Sequence, residues 1–287
     1  MSTHVPSAAL VAIYDQHPLR EETILARVLR QRGTLDGITE LDLAHDSLTE
    51  ITDQNHIGGV ATVVQLAARA GVGPDSRVLD IGAGLSGAGR VLAALFGCRV
   101  HGVELSPHRC ADGNRLTQRV GLDARVTCSS GDALLVDLPS RSVDVVWGQG
   151  AWMHIADLPA LFRRAAAVLV EGGRVAFEEG CLMRASRTED EARALTELER
   201  LWAGRFQPEP TWRELLTSAG FDSCTSDDLT AELMTDCERL FAIARSHAVT
   251  DYPADEANAF PLALDLARAG LLQYRRFVGT IRFGSRS

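Results

Sequence analysis

Between residues 76 and 180 the chain alternates short apolar runs with longer segments whose apolar positions recur at helical spacing. The runs are RVLDIG, CRVHGVEL, ARVTCSSGD, VDVVWGQG and GRVAFEEG. Strands buried on both faces have this composition, and strands joined through helices form a parallel sheet. Helix ends are legible between them. Ser106 and Pro107 supply an N-cap and a first-turn proline, and Asp157 caps a segment expected to stop at Gly172 and Gly173.

After residue 184 the pattern changes. Leu195, Leu198, Leu201 and Trp202 fall at helical spacing with charges between them, and QPEP then breaks the chain. Thr211 and Glu214 predict a capping box ahead of LLTSAG, Gly220 ends that helix, and FDSCTSDDL follows as a strand. Residues 231 to 270 read as helical cover and LLQYRRFVGTIRF as a last strand. Ile24, Leu25, Val28 and Leu29 share one helical face in the first 50 residues, which are expected to lie over the sheet. The predicted architecture is α/β, with a doubly wound, mostly parallel, seven-stranded Rossmann-like sheet. It divides into an N-terminal helical lid (1–51), a core (52–183) and a segment (184–287) whose helical cover and last strands complete the same domain. No repeats or low-complexity tracts interrupt it.

A chain of 287 residues buries a full core without staples. Six scattered cysteines, none at zinc-ligand or redox-motif spacing, read as reduced thiols in a cytoplasm. No metal site is expected. The first residues lack the basic and apolar regions of a signal peptide, and no apolar run approaches membrane-spanning length, so no membrane partner is expected. A net charge of -9 with dispersed arginines disfavours nucleic acid. All 29 basic residues are arginine, which excludes Schiff-base chemistry and the phosphate-binding lysine of a P-loop.

The candidate chemistry starts at VLDIGAGLSG, residues 78 to 87. Gly82, Gly84 and Gly87 let the backbone approach a neighbour closely, and GAGLSG fits the pattern G-x-G-x-x-G. Asp80 stands immediately before the first glycine. A carboxylate there repels a pyrophosphate and suits a cationic ligand instead. Glu104 ends the second strand about 20 residues after the glycine turn, where an acid takes ribose hydroxyls. Asp132, in SSGDAL after the third strand, is placed to accept from an exocyclic amine. An ammonium, a ribose and an adenine together describe S-adenosyl-L-methionine.

At these residues the chain resembles the class I S-adenosylmethionine-dependent methyltransferases, well over roughly residues 52 to 180 and loosely elsewhere. VLDIGAGLSG, GVELS, GDALLVDLP, VDVVWGQGAWMHI and AAAVLVEGGRVAFEE look like the family's five successive motifs. DQNHIGGVATVVQLA looks like the segment that precedes them in small-molecule members, such as the glycine/sarcosine and phosphoethanolamine methyltransferases. The resemblance implies that Gln54, His56 and Gly59 close over the cofactor. It places Asp80, Gly82 and Gly84 around the methionine part, Glu104 and Leu105 at the ribose, Asp132 and Ala133 at the adenine, and Gln149 beneath the sulfonium. Leu105 serves equally well as core.

Methyl transfer needs orientation and exclusion of water, and a base only where the acceptor must lose a proton. His154 follows the fourth strand directly and matches a histidine used in the phosphoethanolamine methyltransferases; a structural hydrogen-bonding role is the alternative. Glu178 and Glu179 end the fifth strand and alternate to opposite faces, so one faces the acceptor while the other pairs with an arginine or solvent. Glu178 is preferred as the catalytic one. Tyr14, His17, His56, Trp152, Trp202, Trp212 and Glu179 are candidates for the acceptor site, although aromatic residues are more often core. The expected activity is methyl transfer to nitrogen, carbon or oxygen of a small-molecule acceptor. A cofactor-retaining cyclase and a non-catalytic cofactor-binding module are the alternatives.

Overall fold

The computed structural model describes residues 7–45, 52–245 and 257–283. Its centre is a sheet in the order β3-β2-β1-β4-β5-β8-β7. The strands are β1 (Arg77–Ile81), β2 (Arg99–Glu104), β3 (Val126–Ser130), β4 (Val143–Gln149), β5 (Leu169–Leu182), β7 (Phe221–Asp228) and β8 (Leu272–Ile281). β1 to β5 run parallel, and β8 is antiparallel to both β5 and β7. A two-residue strand inside the QPEP break, β6 (Gln207–Pro208), pairs with β5 and brings the sheet to eight strands. The doubly wound, mostly parallel arrangement is the one expected.

Period-two alternation sends neighbouring residues into two separate cores. Val78, Val145, Ala176 and Val278 pack under α4 (Gly59–Ala70) and α5 (Gly87–Phe96). Leu79, Val146, Phe177 and Phe277 pack under α7 (Leu158–Val168) and α9 (Glu209–Ser218). Strand order reverses between β1 and β4, which opens a crevice at the carboxyl ends of the strands, where open α/β sheets bind ligands. At this end lie α1 (Ser7–Asp15), α8 (Glu189–Leu201), α10 (Thr230–Arg245) and α11 (Ala259–Arg268), while α2 (Glu21–Arg32) packs on α6 (Pro107–Arg119), the link from β2 to β3, and α3 (Glu40–Ala44) packs on α5. No helix among the described residues is long and apolar enough to cross a membrane.

Some local expectations change. α7 ends at Val168 rather than at Gly172 and Gly173, because Leu169 is already extended and pairs with Val143. The glycine pair lies inside β5, beside the register shift against β4. α9 opens at Glu209 with Pro210 in its first turn, so Thr211 and Glu214 are helical and form no capping box. Ile24 and Val28 are buried as predicted, Leu25 is half-buried, and Leu29 faces solvent. Ser106 caps α6 as predicted, its side chain accepting from the Arg109 amide at 3.3 Å.

Candidate active site

Two cavities open at the carboxyl ends of the strands. The first, about 270 Å³, is floored by Asp80 of β1 with Gly82 and Gly84 after it, Glu104 at the end of β2 with Leu105 after it, Asp132 and Ala133 after β3, and Gln149 of β4. The second, about 170 Å³, lies between the end of β5 and the helical cover, and Ile13, Trp202, Phe206, Phe260 and Glu179 belong to its wall. Tyr14, Asn55, His56, Gly150 and His154 line both.

The glycine turn is shaped by the protein as much as by any ligand. Gly82 has φ +81, and a Cβ there would come within 2.4 Å of the Ala151 Cβ. Gly87 does not face the first cavity's contents alone: a Cβ on it would strike the Asp53 carbonyl at 2.4 Å. That close approach seats the segment before α4 on the start of α5. Asp53 is held there by Arg90, whose Nη2 lies 2.7 Å from Asp53 Oδ2, with both side chains out of solvent. Gln54 donates to Asp53 Oδ1 at 2.8 Å, and its Oε1 lies 3.1 Å from His56 Nε2.

The three acids differ in their environment. Asp80 is 4% exposed, and no group among the described residues hydrogen-bonds its carboxyl. Burial, and then the nearby Glu104 charge, push its pKa up to about 7. Glu104 accepts from the Gly84 amide at 2.8 Å and from the Ser106 amide at 2.9 Å, one bond on each oxygen, so further lone pairs remain. Asp132 accepts from the Leu134 amide through Oδ1 at 2.8 Å. Gln149 is fixed at both ends: Oε1 accepts from the Trp147 indole at 3.1 Å, and Nε2 donates to Glu178 at 2.8 Å.

Five expected placements change: Glu178, Trp152 and Trp212 on the acceptor side, and Gln54 and Gly59 on the cofactor side. Glu178 reaches neither cavity. It stands opposite Arg276 in the β5–β8 register and forms a buried ion pair with it at 2.6 Å. Burial still carries its pKa up to about 7, against the opposing pull of Arg276. Glu179, on the other face, borders the second cavity. Its Oε1 accepts from the Trp152 amide at 2.5 Å, its Oε2 is buried without a hydrogen-bond partner among the described residues, and burial pushes its pKa up to about 8. Trp152 lines neither cavity: it stacks on Phe177, and its indole donates to the Ile81 carbonyl at 3.2 Å. Gln54 borders the second cavity rather than the first, and Gly59, the first residue of α4, borders neither. Trp212 is core as well.

The candidate histidines His17 and His154 border the second cavity. His17 is buried at the second cavity and accepts through Nδ1 from the Leu19 amide at 3.1 Å. His154 lies 2.8 Å from the Tyr14 hydroxyl through Nε2, and 3.0 Å from the Ala203 carbonyl through Nδ1. Sequence reasoning missed Arg109, Asp53 and Asn55. Arg109 lines the first cavity with its guanidinium 4.7 Å from the Tyr14 ring centre, and its Nε and Nη2 are buried without hydrogen-bond partners among the described residues. A cation in the first turn of a helix opposes the helix dipole, and that was the readable signal.

Residues 79–177 match the methyltransferase domain family. The chain is 27% identical over 187 residues to a glycine/sarcosine/dimethylglycine N-methyltransferase of Actinopolyspora halophila, a stretch covering 64% of this chain and 32% of that protein. It is 30% identical over 166 residues to a sarcosine/dimethylglycine N-methyltransferase of Halorhodospira halochloris, covering 56% of this chain and 57% of that one. The match thus spans about a third of the first relative and a little over half of the second. The geranyl diphosphate C-methyltransferase of Streptomyces coelicolor A3(2), solved with Mg2+, geranyl-S-thiolodiphosphate and S-adenosyl-L-homocysteine, superimposes with a TM-score of 0.70 at 19% identity, covering 98% of this chain and 99% of that one. Residues 79–177 are therefore a methyltransferase domain, set in a chain that is similar over more than half of its length to sarcosine/dimethylglycine N-methyltransferases.

Proposed function

We propose that this chain is an S-adenosylmethionine-dependent methyltransferase, with the cofactor in the first cavity and a small-molecule acceptor in the second. The observation that carries the reading is the wall they share at Tyr14, Asn55, His56, Gly150 and His154. Transfer between two bound molecules requires two separately recognised sites that meet at one place, under a cover that excludes water.

The first cavity fits the cofactor. An Asp80 carboxyl with no hydrogen-bond partner among the described residues, whose charged form burial and Glu104 disfavour, would be completed by an ammonium. Glu104 keeps lone pairs for ribose hydroxyls, and Asp132 keeps one oxygen for an exocyclic amine. Asp80, Gly82 and Gly84 would hold the methionine part, Glu104 and Leu105 the ribose, and Asp132 and Ala133 the adenine, while Gln149 forms the floor beneath the sulfur. Bound there, the cofactor supplies a methyl group already activated by its positive sulfur. His154 is the base where the acceptor must lose a proton, with Tyr14 as its partner.

The helices before residue 52 and those after 183 act as a cover on a single domain. Support comes from the Ser106 hydroxyl, which donates to Asp15 at 2.9 Å, and from Arg109 against Tyr14. The enzyme works in the cytoplasm, a reading supported by six cysteines that are all free thiols. Transfer of isotope-labelled methyl from S-adenosylmethionine to a panel of amine, hydroxyl and alkene acceptors tests the activity. Label in product is the expected result. Tight cofactor binding without transfer to any acceptor would point to the cyclase or the non-catalytic alternative.

A further inference from the structure

We infer that the acceptor is a predominantly apolar molecule bearing one basic amine, and that Glu179 is the residue that selects it; the inference rests on the methyltransferase reading and deepens it. The second cavity is walled chiefly by aliphatic and aromatic side chains, among them Trp202, Phe206 and Tyr274. Into this apolar surface the chain sets Glu179, which is 0% exposed. Its Oε1 accepts from the Trp152 amide, with the Ala151 and Met153 amides also directed at the carboxyl, whereas Oε2 has no hydrogen-bond partner among the described residues. Once ionised, a buried carboxylate oxygen left without a donor is costly, and a cationic donor on the ligand would both supply the missing bond and favour the ionised form.

An amine is the donor that matches best. It forms a charge-assisted bond to a carboxylate, and aromatic faces around it favour a cation. An anionic head group finds the opposite situation. Arg239, the arginine bordering this cavity among the described residues, is paired with Asp236 at 3.3 Å, and Asp236 also accepts from the Gly58 amide at 2.5 Å. An acceptor whose bulk is a carboxylate or a phosphate would therefore compete with Asp236 for this arginine.

The same carboxylate prepares the nitrogen. When an ammonium surrenders a proton to Glu179 Oε2, an N–H bond breaks, an O–H bond forms, and the lone pair stays on nitrogen, the form that accepts a methyl group. Burial, which raises the carboxyl's pKa, brings the two groups closer in proton affinity. Glu179 lies beneath the turn carrying Gly150 and His154, so the prepared nitrogen sits next to the wall shared with the first cavity.

The test uses the full chain saturated with S-adenosylhomocysteine and calorimetric titration of matched ligands. Amine, alcohol and carboxylate forms are compared on three apolar skeletons, indolylethyl, phenylpropyl and octyl, with sarcosine and phosphoethanolamine alongside. At least one amine is expected to bind tenfold or more tightly than its alcohol and carboxylate partners and than both polar acceptors. Glu179→Gln is expected to erase that preference while leaving S-adenosylhomocysteine affinity within threefold. Equal binding of amines and alcohols, a preference for carboxylates, or tighter binding of sarcosine or phosphoethanolamine by the wild-type chain would overturn the inference whether or not the variant folds. Failure to bind S-adenosylhomocysteine in the first place would instead count against the methyltransferase reading.

Discussion

The Tyr14 hydroxyl and His154 Nε2 lie 2.8 Å apart across 140 residues of sequence, joining α1 to the turn after β4. The other imidazole nitrogen, Nδ1, faces the Ala203 carbonyl at 3.0 Å. A carbonyl only accepts, so Nδ1 carries the proton, and in the neutral ring Nε2 accepts from the tyrosine. The pair sits on the wall between the two cavities. His154→Ala is expected to lower turnover roughly 10²–10⁴-fold, the range for loss of a general base. Tyr14→Phe is expected to lower it by less, and both should leave S-adenosylhomocysteine affinity nearly intact. Loss of folding in His154→Ala, seen by circular dichroism, would favour a structural role for the ring.

Cofactor affinity should depend on pH through Asp80. Burial and the Glu104 charge push its carboxyl pKa up to about 7. It is neutral at pH 5.5 and ionised at pH 8, and only the ionised form pairs with an ammonium. S-adenosylhomocysteine affinity is thus expected to rise from pH 5.5 to pH 8, and Asp80→Asn to flatten that rise and weaken binding at pH 8.

The same group affects stability with the opposite sign. A carboxyl whose folded pKa lies above its unfolded value, about 4, makes the unliganded chain less stable as pH rises from about 4 through about 7. The increase in melting temperature on adding S-adenosylhomocysteine should therefore be larger at pH 8 than at pH 5.5. Parallel melting curves at the two values measure it.

Arg90 and Asp53 form an ion pair with both side chains out of solvent. Removing one partner from such a pair costs about 3–5 kcal/mol, so Arg90→Met should lower the urea midpoint clearly. Arg193→Ala, which removes an exposed contact to Asp190 on α8, should change it little. Because Asp53 borders the first cavity, the Arg90 variant is also expected to weaken cofactor binding.

Glu178 and Glu179 should separate by readout. Glu178→Gln weakens the partnership with the buried Arg276 and is expected to reduce stability while the acceptor preference survives. Glu179→Gln is expected to alter acceptor preference above all. Urea denaturation and the ligand panel together make the distinction.

This pair also marks where the sequence stops being informative. Alternation puts the two glutamates on opposite faces of β5, but which face meets the cavity depends on β8, which brings Arg276 opposite Glu178. Nothing local to FEEG encodes that partner. Asp80, Glu104 and Asp132 were legible for the contrary reason: Asp80 and Glu104 stand at the carboxyl ends of β1 and β2 and Asp132 just after β3, strands whose order and direction the apolar runs already fix, so their place at the ligand end needs no distant partner. Trp152 went to the core because its short turn folds the indole back onto Ile81 and Phe177, and aromatic character alone does not separate a pocket wall from a core. The second cavity was the least readable, since α1, α8, α10 and α11 assemble it from segments as far apart as Ile13 and Tyr274. The helix end at Val168 was misplaced because a glycine pair reads as a helix stop, whereas here it accommodates the register shift of β5.

Calorimetric titration of the full chain with S-adenosylmethionine, S-adenosylhomocysteine and NADH in parallel tests the central claim most directly. Binding of the two adenosyl ligands, weakened strongly by Asp80→Ala and by Glu104→Ala, with no heat from NADH, is the predicted result. Binding of NADH alone would mean that the glycine turn holds a pyrophosphate, and would contradict the account.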